Sequence, residues 1–178
     1  MMTEQTINAP RLWTPSGFRE DGWTHADSAE ALESNAAVIL PLPVWQALDA
    51  ETKAANRDRI GVLLAPGEPL DAIVDALSSL PLVALSFPAF NDGRSYSKAE
   101  LLRCRHGFKG AVRACGQVLV DQISHMIRTG FDELEVSHPV ALKRLEEGRA
   151  GGLPLYYQPT AKAETPEGKY AWRRKPAA

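Results

Sequence analysis

Short strand-like runs alternate with helix-like stretches along the middle of the chain. Five such runs are present: Ala37–Leu42, Ile60–Ala65, Leu82–Phe87, Ala111–Cys115 and Asp132–Val136. Most are apolar with little alternation, which is typical of strands that are buried on both faces of a sheet. Parallel strands need a crossover connection, and a helix usually supplies it. Five successive strand–helix units therefore predict an α/β fold with a parallel sheet, as an open sheet or a partial barrel.

The stretches between the strands carry helical signals. Residues 44–59 have a helical composition. Four apolar residues then recur at the i, i+3, i+4, i+7 spacing of one helix face: Leu70, Ile73, Val74 and Leu77. Ser97 and Glu100 form a capping box, so a helix is expected to start at Ser97. The last two helices are predicted over residues 117–129 and from Pro139 to Gly148.

The two ends of the chain have different patterns from the middle. Trp13 and Phe18 are apolar anchors on either side of the turn signal Pro15-Ser16-Gly17, which predicts a β-hairpin. We therefore divide the chain into an N-terminal hairpin and lead-in (1–36), an α/β domain (37–148) and a C-terminal arm (149–178). The arm is rich in Gly, Pro, Thr and Lys and is expected to be extended or disordered.

Composition and charge narrow the classes of partner. The 178 residues are 44% hydrophobic and 24% charged, as in an ordinary globular protein. The net charge of −2 gives no general attraction to nucleic acid or to acidic membranes. No apolar run approaches the roughly 20 residues of a membrane span, and the first residues do not read as a secretory signal. We expect a cytoplasmic protein that binds neither nucleic acid nor membrane.

Metal and disulfide chemistry have little support in the sequence. Cys104 and Cys115 fit no paired-cysteine motif, so we expect two reduced thiols that form neither a disulfide nor a redox couple. The histidines lack the spacing of metal ligands. No glycine-rich phosphate loop or nucleophile elbow is present either. The residues alone therefore identify no metal, cofactor or reaction.

The loop after the third predicted strand is the longest and most polar connection in the α/β domain. Ligands of parallel sheets bind beyond the carboxyl ends of the strands, where this loop is expected to lie. Asp92 makes a turn there, and the planar guanidinium of Arg94 can bind two oxygens of an oxyanion. Gln117 and His138 are expected at the same edge. In the alternative interpretation, Asp92 and Arg94 simply pair with each other or cap neighbouring elements.

Arg113 is unusual because it lies at the centre of an apolar predicted strand. A buried guanidinium needs a carboxylate partner. Asp92 is the first candidate partner, and Asp121 is the second. The alternative is an edge strand on which Arg113 points to water.

A set of fixed spacings in the second half of the chain resembles a known family. Residues 87–103 follow the pattern F-x-x-F-x-D-G-R-x-Y-S-x-A-x-x-L-R, and residues 107–122 follow G-x-x-G-x-x-R-A-x-G-x-V-L-x-D-Q. A Gly-Phe-Asp segment follows at 130–132. These patterns resemble DUF934, a bacterial family catalogued as a domain of unknown function. The resemblance covers Trp23 to Glu146 and is densest between Phe87 and Asp132.

The resemblance implies a role in sulfur assimilation. Members of the family look like companions of assimilatory sulfite and sulfate reduction, and some carry the label of a probable oxidoreductase. One hypothesis is an accessory protein that binds an anionic ligand, a cofactor or sulfite reductase. The other is a true oxidoreductase or lyase, with Asp92 or Asp121 as the acid–base group. In both, the candidate ligand-binding residues are Arg94, Tyr96, Arg113 and Gln117. The sequence offers no clustered cysteines for an iron–sulfur cluster or siroheme.

Overall fold

Eight strands form a single sheet in the computed structural model, which describes residues 9–152. The strands are β1 (Arg11–Thr14), β2 (Gly17–Arg19), β3 (Thr24–His25), β4 (Val38–Pro41), β5 (Ile60–Leu64), β6 (Leu82–Phe87), β7 (Ala111–Gly116) and β8 (Glu133–Val136). Their order across the sheet is β2-β1-β8-β7-β6-β5-β4-β3. The strands from β3 to β8 are parallel, whereas β1 is antiparallel to both β2 and β8.

The expected mixed α/β fold with a mostly parallel sheet is confirmed. The count of five strand–helix units is not, because the sheet has eight strands. The N-terminal hairpin does not merely precede the sheet, since β1 pairs with β8 and extends it by an antiparallel edge. The following segment adds β3 at the opposite edge, next to β4. Most of the predicted C-terminal arm, from residue 153 onwards, lies outside the described residues.

Most of the helices are shorter than the sequence predicts. They are α1 (Ala31–Ser34), α2 (Leu42–Ala47), α3 (Ala50–Ala55), a 3₁₀ helix (Leu70–Ala76), α4 (Arg94–Glu100) with a π-helical continuation (Leu101–Arg105), α5 (Ile123–Thr129) and α6 (Pro139–Glu146). The long helix predicted over residues 44–59 is two helices, because Asp49 caps a new helix by accepting a hydrogen bond from the Thr52 amide. Helix α6 does begin at Pro139, as predicted.

Two further predictions of helix starts are wrong. The capping box at Ser97 is not formed, since α4 begins three residues earlier, at Arg94. There the Ser95 hydroxyl donates to the Ser86 carbonyl and ties the helix to the end of β6. The helix predicted from residue 117 begins only at Ile123. Gly116 has a φ of +91° and the Gln117 amide donates to the Phe87 carbonyl at the end of β6, so an irregular segment and a turn separate β7 from the helix.

All crossovers between successive strands from β4 to β8 join neighbours in the sheet, and such crossovers are right-handed. The helices therefore pack on one face, where they form the main core with strand residues such as Val62, Leu85 and Val112. The opposite face has a small cluster of Ile39, Leu82, Ala84 and Cys115, covered in part by Trp23. This second face is the concave face of an open, curled sheet with the shape of a half barrel.

One contact across the concave face shows how strongly the sheet curls. His25 on β3 and Glu135 on β8 are separated by five strand spacings, which is about 24 Å in a flat sheet. Their side chains nevertheless meet, with 2.7 Å between His25 Nε2 and Glu135 Oε1. The two ends of the parallel sheet must therefore bend toward each other.

The helices within residues 9–152 are short compared with a membrane span. None of them is long and apolar enough to cross a bilayer.

At Gly110, just before β7, the backbone passes close to the carbonyl groups of a neighbouring segment, and a substitution can test this close approach. A Cβ atom there would lie 2.6 Å from the Pro81 carbonyl oxygen and 2.8 Å from that of Leu80. We expect Gly110→Ala to lower the free energy of unfolding by about 1–3 kcal/mol, because the backbone must shift. Gly22→Ala is the control, since a Cβ there meets nothing within 4 Å. Equal urea midpoints for the two variants would contradict the close approach.

Candidate functional site

Arg113 lies on the concave face with none of its side chain exposed, and three carboxylates surround it. Its two terminal nitrogens donate to both oxygens of Asp21, at 2.8 and 3.0 Å. Its Nε donates to Glu133 at 2.8 Å, and Nη1 also lies 3.2 Å from Glu135 Oε1. Arg113 therefore has three carboxylate partners, whereas the sequence predicts one.

The strand register explains two of these partners. Glu133 on β8 lies directly opposite Arg113 on β7, and Glu135, two residues further along, points to the same face. Asp21 comes from the segment between β2 and β3, which crosses the concave face. Burial disfavours the charged guanidinium, but its hydrogen bonds to Asp21 and the nearby carboxylate charges outweigh this effect and raise the pKa of Arg113.

The predicted contact between Asp92 and Arg113 is wrong. Arg113 pairs with Ala84 in the middle of β6, whereas Asp92 lies in the loop beyond the end of that strand. Asp121 is not the partner either, because the three carboxylates bound to Arg113 are those named above. The alternative of an edge strand is also wrong, since β7 is flanked by β6 and β8 and Arg113 is buried.

Asp92 and Arg94 form the local pair that the alternative interpretation described. Arg94 donates to the two Asp92 oxygens from Nε at 2.9 Å and from Nη2 at 2.7 Å. These bonds lower the pKa of Asp92 and raise that of Arg94. The Arg94 side chain is 64% exposed, so the pair lies at the surface. The planar fork that was expected to bind an oxyanion is already occupied by a carboxylate.

Tyr96 faces the helical layer and not the edge of the sheet. Its ring lies 5.0 Å from that of Phe87 and 4.5 Å from that of His125, centroid to centroid. Burial, and then the charge of Asp121, raise the pKa of the phenol to about 12. The hydroxyl is buried and has no hydrogen-bond partner within residues 9–152. Tyr96 is thus a packing residue of the outer core, and Asp121 is exposed in the turn before α5.

A cavity of about 660 Å³ opens at the carboxyl edge of the sheet. It is formed by the segments that follow β6, β7 and β8, together with the residue before β1. We call it the carboxyl-edge pocket, and its lining is Pro10, Phe87, Pro88, Phe90, Gly116, Gln117, Val118, Leu119, Glu135, Ser137, His138 and Pro139. Of the six predicted site residues, Gln117 alone belongs to this lining. His138, which was expected at the same edge, lies there too.

Glu135 is the acidic group of the pocket, and sequence analysis missed it. Its side chain is 9% exposed, and its Oε1 is held by Arg113 and by His25. Its other oxygen, Oε2, makes no hydrogen bond to any residue that the structure describes and is not fully buried, so it remains accessible. A signal for it existed, because residues 133 and 135 are glutamates at alternate positions of a strand predicted to be buried. Such a pair on one face requires a cation or a ligand.

His138 also lines the pocket, and its nitrogen Nδ1 makes no hydrogen bond within residues 9–152. It is buried and lacks a hydrogen-bond partner in the described part of the chain. Together with the Gln117 side chain and Glu135, it gives the pocket an acceptor, an amide and an imidazole among mostly apolar walls. This arrangement is typical of sites that bind small organic molecules.

Basic residues line a different cavity, at the opposite edge of the sheet. It has a volume of about 590 Å³ and lies before β6 and β7, with Arg105, His106 and Lys109 in its lining. The carboxyl edge, where an anion was expected, has no arginine or lysine in the lining of its pocket. Within residues 9–152, no group of three or more His, Cys, Asp or Glu side chains could hold a metal ion.

Replacement of the central arginine tests the buried cluster. We expect Arg113→Met to lower the free energy of unfolding by about 3–5 kcal/mol, because three carboxylates lose their cation. Arg94→Met is the matched control, and its melting temperature should stay close to that of the wild type because Arg94 is exposed. Thermal melts monitored by circular dichroism make the comparison. Similar losses in both variants would contradict the difference in burial.

The two cysteines are free, as the sequence predicts, and differ in exposure. Burial, followed by the charge of Glu135, raises the pKa of the Cys115 thiol to about 12, whereas Cys104 is exposed. At pH 8 we expect Ellman's reagent to modify one thiol quickly in the native protein and two after denaturation. Cys104→Ser should remove the fast reaction. Fast modification of Cys115 in that variant would overturn the assignment.

Comparison with known proteins agrees with the resemblance in the sequence. A family model described as a bacterial protein of unknown function, DUF934, matches residues 61–167. The matched region contains all but the first residue of β5, strands β6 to β8 and most of the carboxyl-edge pocket, but not Asp21 or His25. No curated protein matches the chain. Because the family model covers more than half of the sequence, the chain belongs to the DUF934 family.

Proposed function

We propose that the protein is a cytoplasmic accessory protein of assimilatory sulfite and sulfate reduction. It binds a small organic ligand, a cofactor or the reductase itself at the carboxyl edge of the sheet. The pathway rests on the family resemblance described above. The binding role rests on one observation, which is the carboxyl-edge pocket between the segments that follow β6, β7 and β8.

The walls of the pocket support a binding role. Phe87, Val118 and Leu119 form apolar walls, and a few polar groups point between them. The volume of about 660 Å³ falls within the range of small-molecule sites. Phe90 stands at the mouth with 67% of its surface exposed, which is unusual for a large apolar residue. A ligand or a partner protein that covers Phe90 removes this apolar surface from water.

The arginine geometry favours the accessory role over the proposed Asp/Arg enzyme. Such an enzyme needs a free anion clamp beside an acid–base group. Arg94 is bound to Asp92, and Arg113 is bound to three carboxylates. Neither arginine lines the pocket.

An enzyme remains the second candidate because of Glu135. A true oxidoreductase or lyase would use Glu135, and not Asp92 or Asp121, as its acid–base group. The buried carboxylate has one oxygen without a partner among residues 9–152, as a general base requires. Turnover of a sulfur compound that is lost in Glu135→Gln would favour the enzyme.

The proposal is tested in a strain whose own copy of the gene is replaced by variants. We expect Phe90→Ser to slow growth on sulfate as the only sulfur source, because the mouth of the pocket loses its main apolar contact. Leu101→Ser is the control, since Leu101 is also exposed, at 39%, but does not line the pocket. Both variants should melt at the same temperature as the wild type.

The same strains allow the bound component to be identified. The tagged protein is purified from sulfate-grown cells, and the proteins and small molecules that accompany it are analysed by mass spectrometry. A sulfur-assimilation component should be recovered with the wild type and with Leu101→Ser, and be depleted with Phe90→Ser. Normal growth of Phe90→Ser, with an unchanged set of companions, would exclude the pocket as the working site.

A further inference from the structure

A cluster of charges next to the carboxyl-edge pocket, which includes the lining residue Glu135, carries an excess of negative charge. Three carboxylates, those of Asp21, Glu133 and Glu135, surround the single guanidinium of Arg113. The cluster has a net charge of −2. Charges that are buried in this way are poorly screened by salt. The cluster therefore attracts cations and repels anions.

Glu135 connects this buried cluster to the pocket. Its side chain is more than nine-tenths buried and yet belongs to the lining of the pocket. Arg113 and His25 both contact Oε1, so the carboxylate is held in one orientation. Oε2 has no hydrogen-bond partner in the described part of the chain, and it is not among the fully buried atoms there that lack one, so it stays accessible to a donor. A donor supplied by a ligand would complete its hydrogen bonding.

The remaining lining defines the rest of the ligand. Aromatic and aliphatic side chains, among them Phe87, Phe90 and Val118, line the pocket together with Glu135. They fit a flat or aliphatic body of a few carbon atoms. No lysine or arginine lines the pocket to balance the charge of an anionic ligand. An inorganic oxyanion would thus be placed beside a carboxylate without a free cation.

We propose that the carboxyl-edge pocket binds an organic amine, with its apolar body against the pocket walls and its ammonium group bound to Glu135 Oε2. This inference rests on the proposed ligand-binding function and specifies the ligand class. It replaces the anionic ligand that the sequence predicted at this edge. Glu135 is then the residue that recognises the ligand, and Arg113 and His25 are positioning residues that orient it.

Three probes of the same shape and different charge test the proposal: benzylamine, benzyl alcohol and phenylacetate. Each is titrated into the ¹⁵N-labelled full chain at pH 7.5, and the backbone amides of Gln117, Val118 and Ser137 report on the pocket. Benzylamine should shift these amides in a saturable way. Its dissociation constant should be about tenfold or more below that of phenylacetate, since a hydrogen bond to a charged group is the difference.

Variants then assign the preference to Glu135. Glu135→Gln should weaken benzylamine about tenfold and leave benzyl alcohol nearly unchanged. Glu133→Gln is the matched control, because it removes a carboxylate of the same cluster that does not line the pocket. It should keep most of the preference for benzylamine. If Glu135→Gln does not fold, the comparison of the three probes on the wild type decides alone.

The failure of this inference is distinguishable from the failure of the proposed function. If phenylacetate or benzyl alcohol binds at these amides as tightly as benzylamine, the pocket is a ligand site but not an amine site. The same holds if Glu135→Gln retains wild-type affinity for benzylamine. If none of the three probes moves the amides at millimolar concentration, both the amine site and the ligand-binding role of the pocket are overturned.

Discussion

A fully buried guanidinium is the constraint on which the rest of this structure depends. Arg113 can stay charged inside the half barrel only while carboxylates surround it. This requirement explains why β8 carries two glutamates on its concave face and why the segment before β3 crosses that face to deliver Asp21. It also fixes Glu135, which meets His25 from the far edge of the parallel sheet. The carboxylate of Glu135 thus has three roles. It neutralises Arg113, it contacts His25 across the curled sheet, and it lines the pocket.

Local patterns in the sequence predicted the strands, which depend on residues that are close together in the chain. Each expected strand overlaps an observed one, because the apolar residues of a buried strand and the turn residues that bound it lie within a few positions of each other in the sequence. Contacts between distant parts of the chain were not predictable in this way. Asp21 lies 92 positions from Arg113, and no local pattern links the two, so the prediction of Asp92 as the partner is wrong. The capping box at Ser97 failed for a related reason, since the bond from Ser95 to the end of β6 sets the start of α4.

The candidate site lies in the carboxyl-edge pocket and not in the polar loop that the sequence suggests. The charges of Asp92 and Arg94 make this loop a candidate site in the sequence. In the structure the two side chains bind each other at the surface. The pocket instead uses the irregular segment after Gly116, which the sequence had assigned to a helix. Its acidic residue belongs to a strand. Gln117 and His138 were found because both follow strands directly, and the carboxyl ends of parallel strands meet at one edge.

The long-range contacts of the N-terminal segment have a consequence for biosynthesis. Asp21 and His25 leave the ribosome long before their partners, which follow 92 and 110 positions later. The contacts of Asp21 and His25 across the concave face must therefore wait until β7 and β8 have been made and assembled. Folds that depend on such distant contacts assemble slowly, because loop closure precedes any gain in contact energy. The cluster of charges next to the pocket is consequently among the last parts of the molecule to be completed, so that a chain interrupted before β8 cannot carry it.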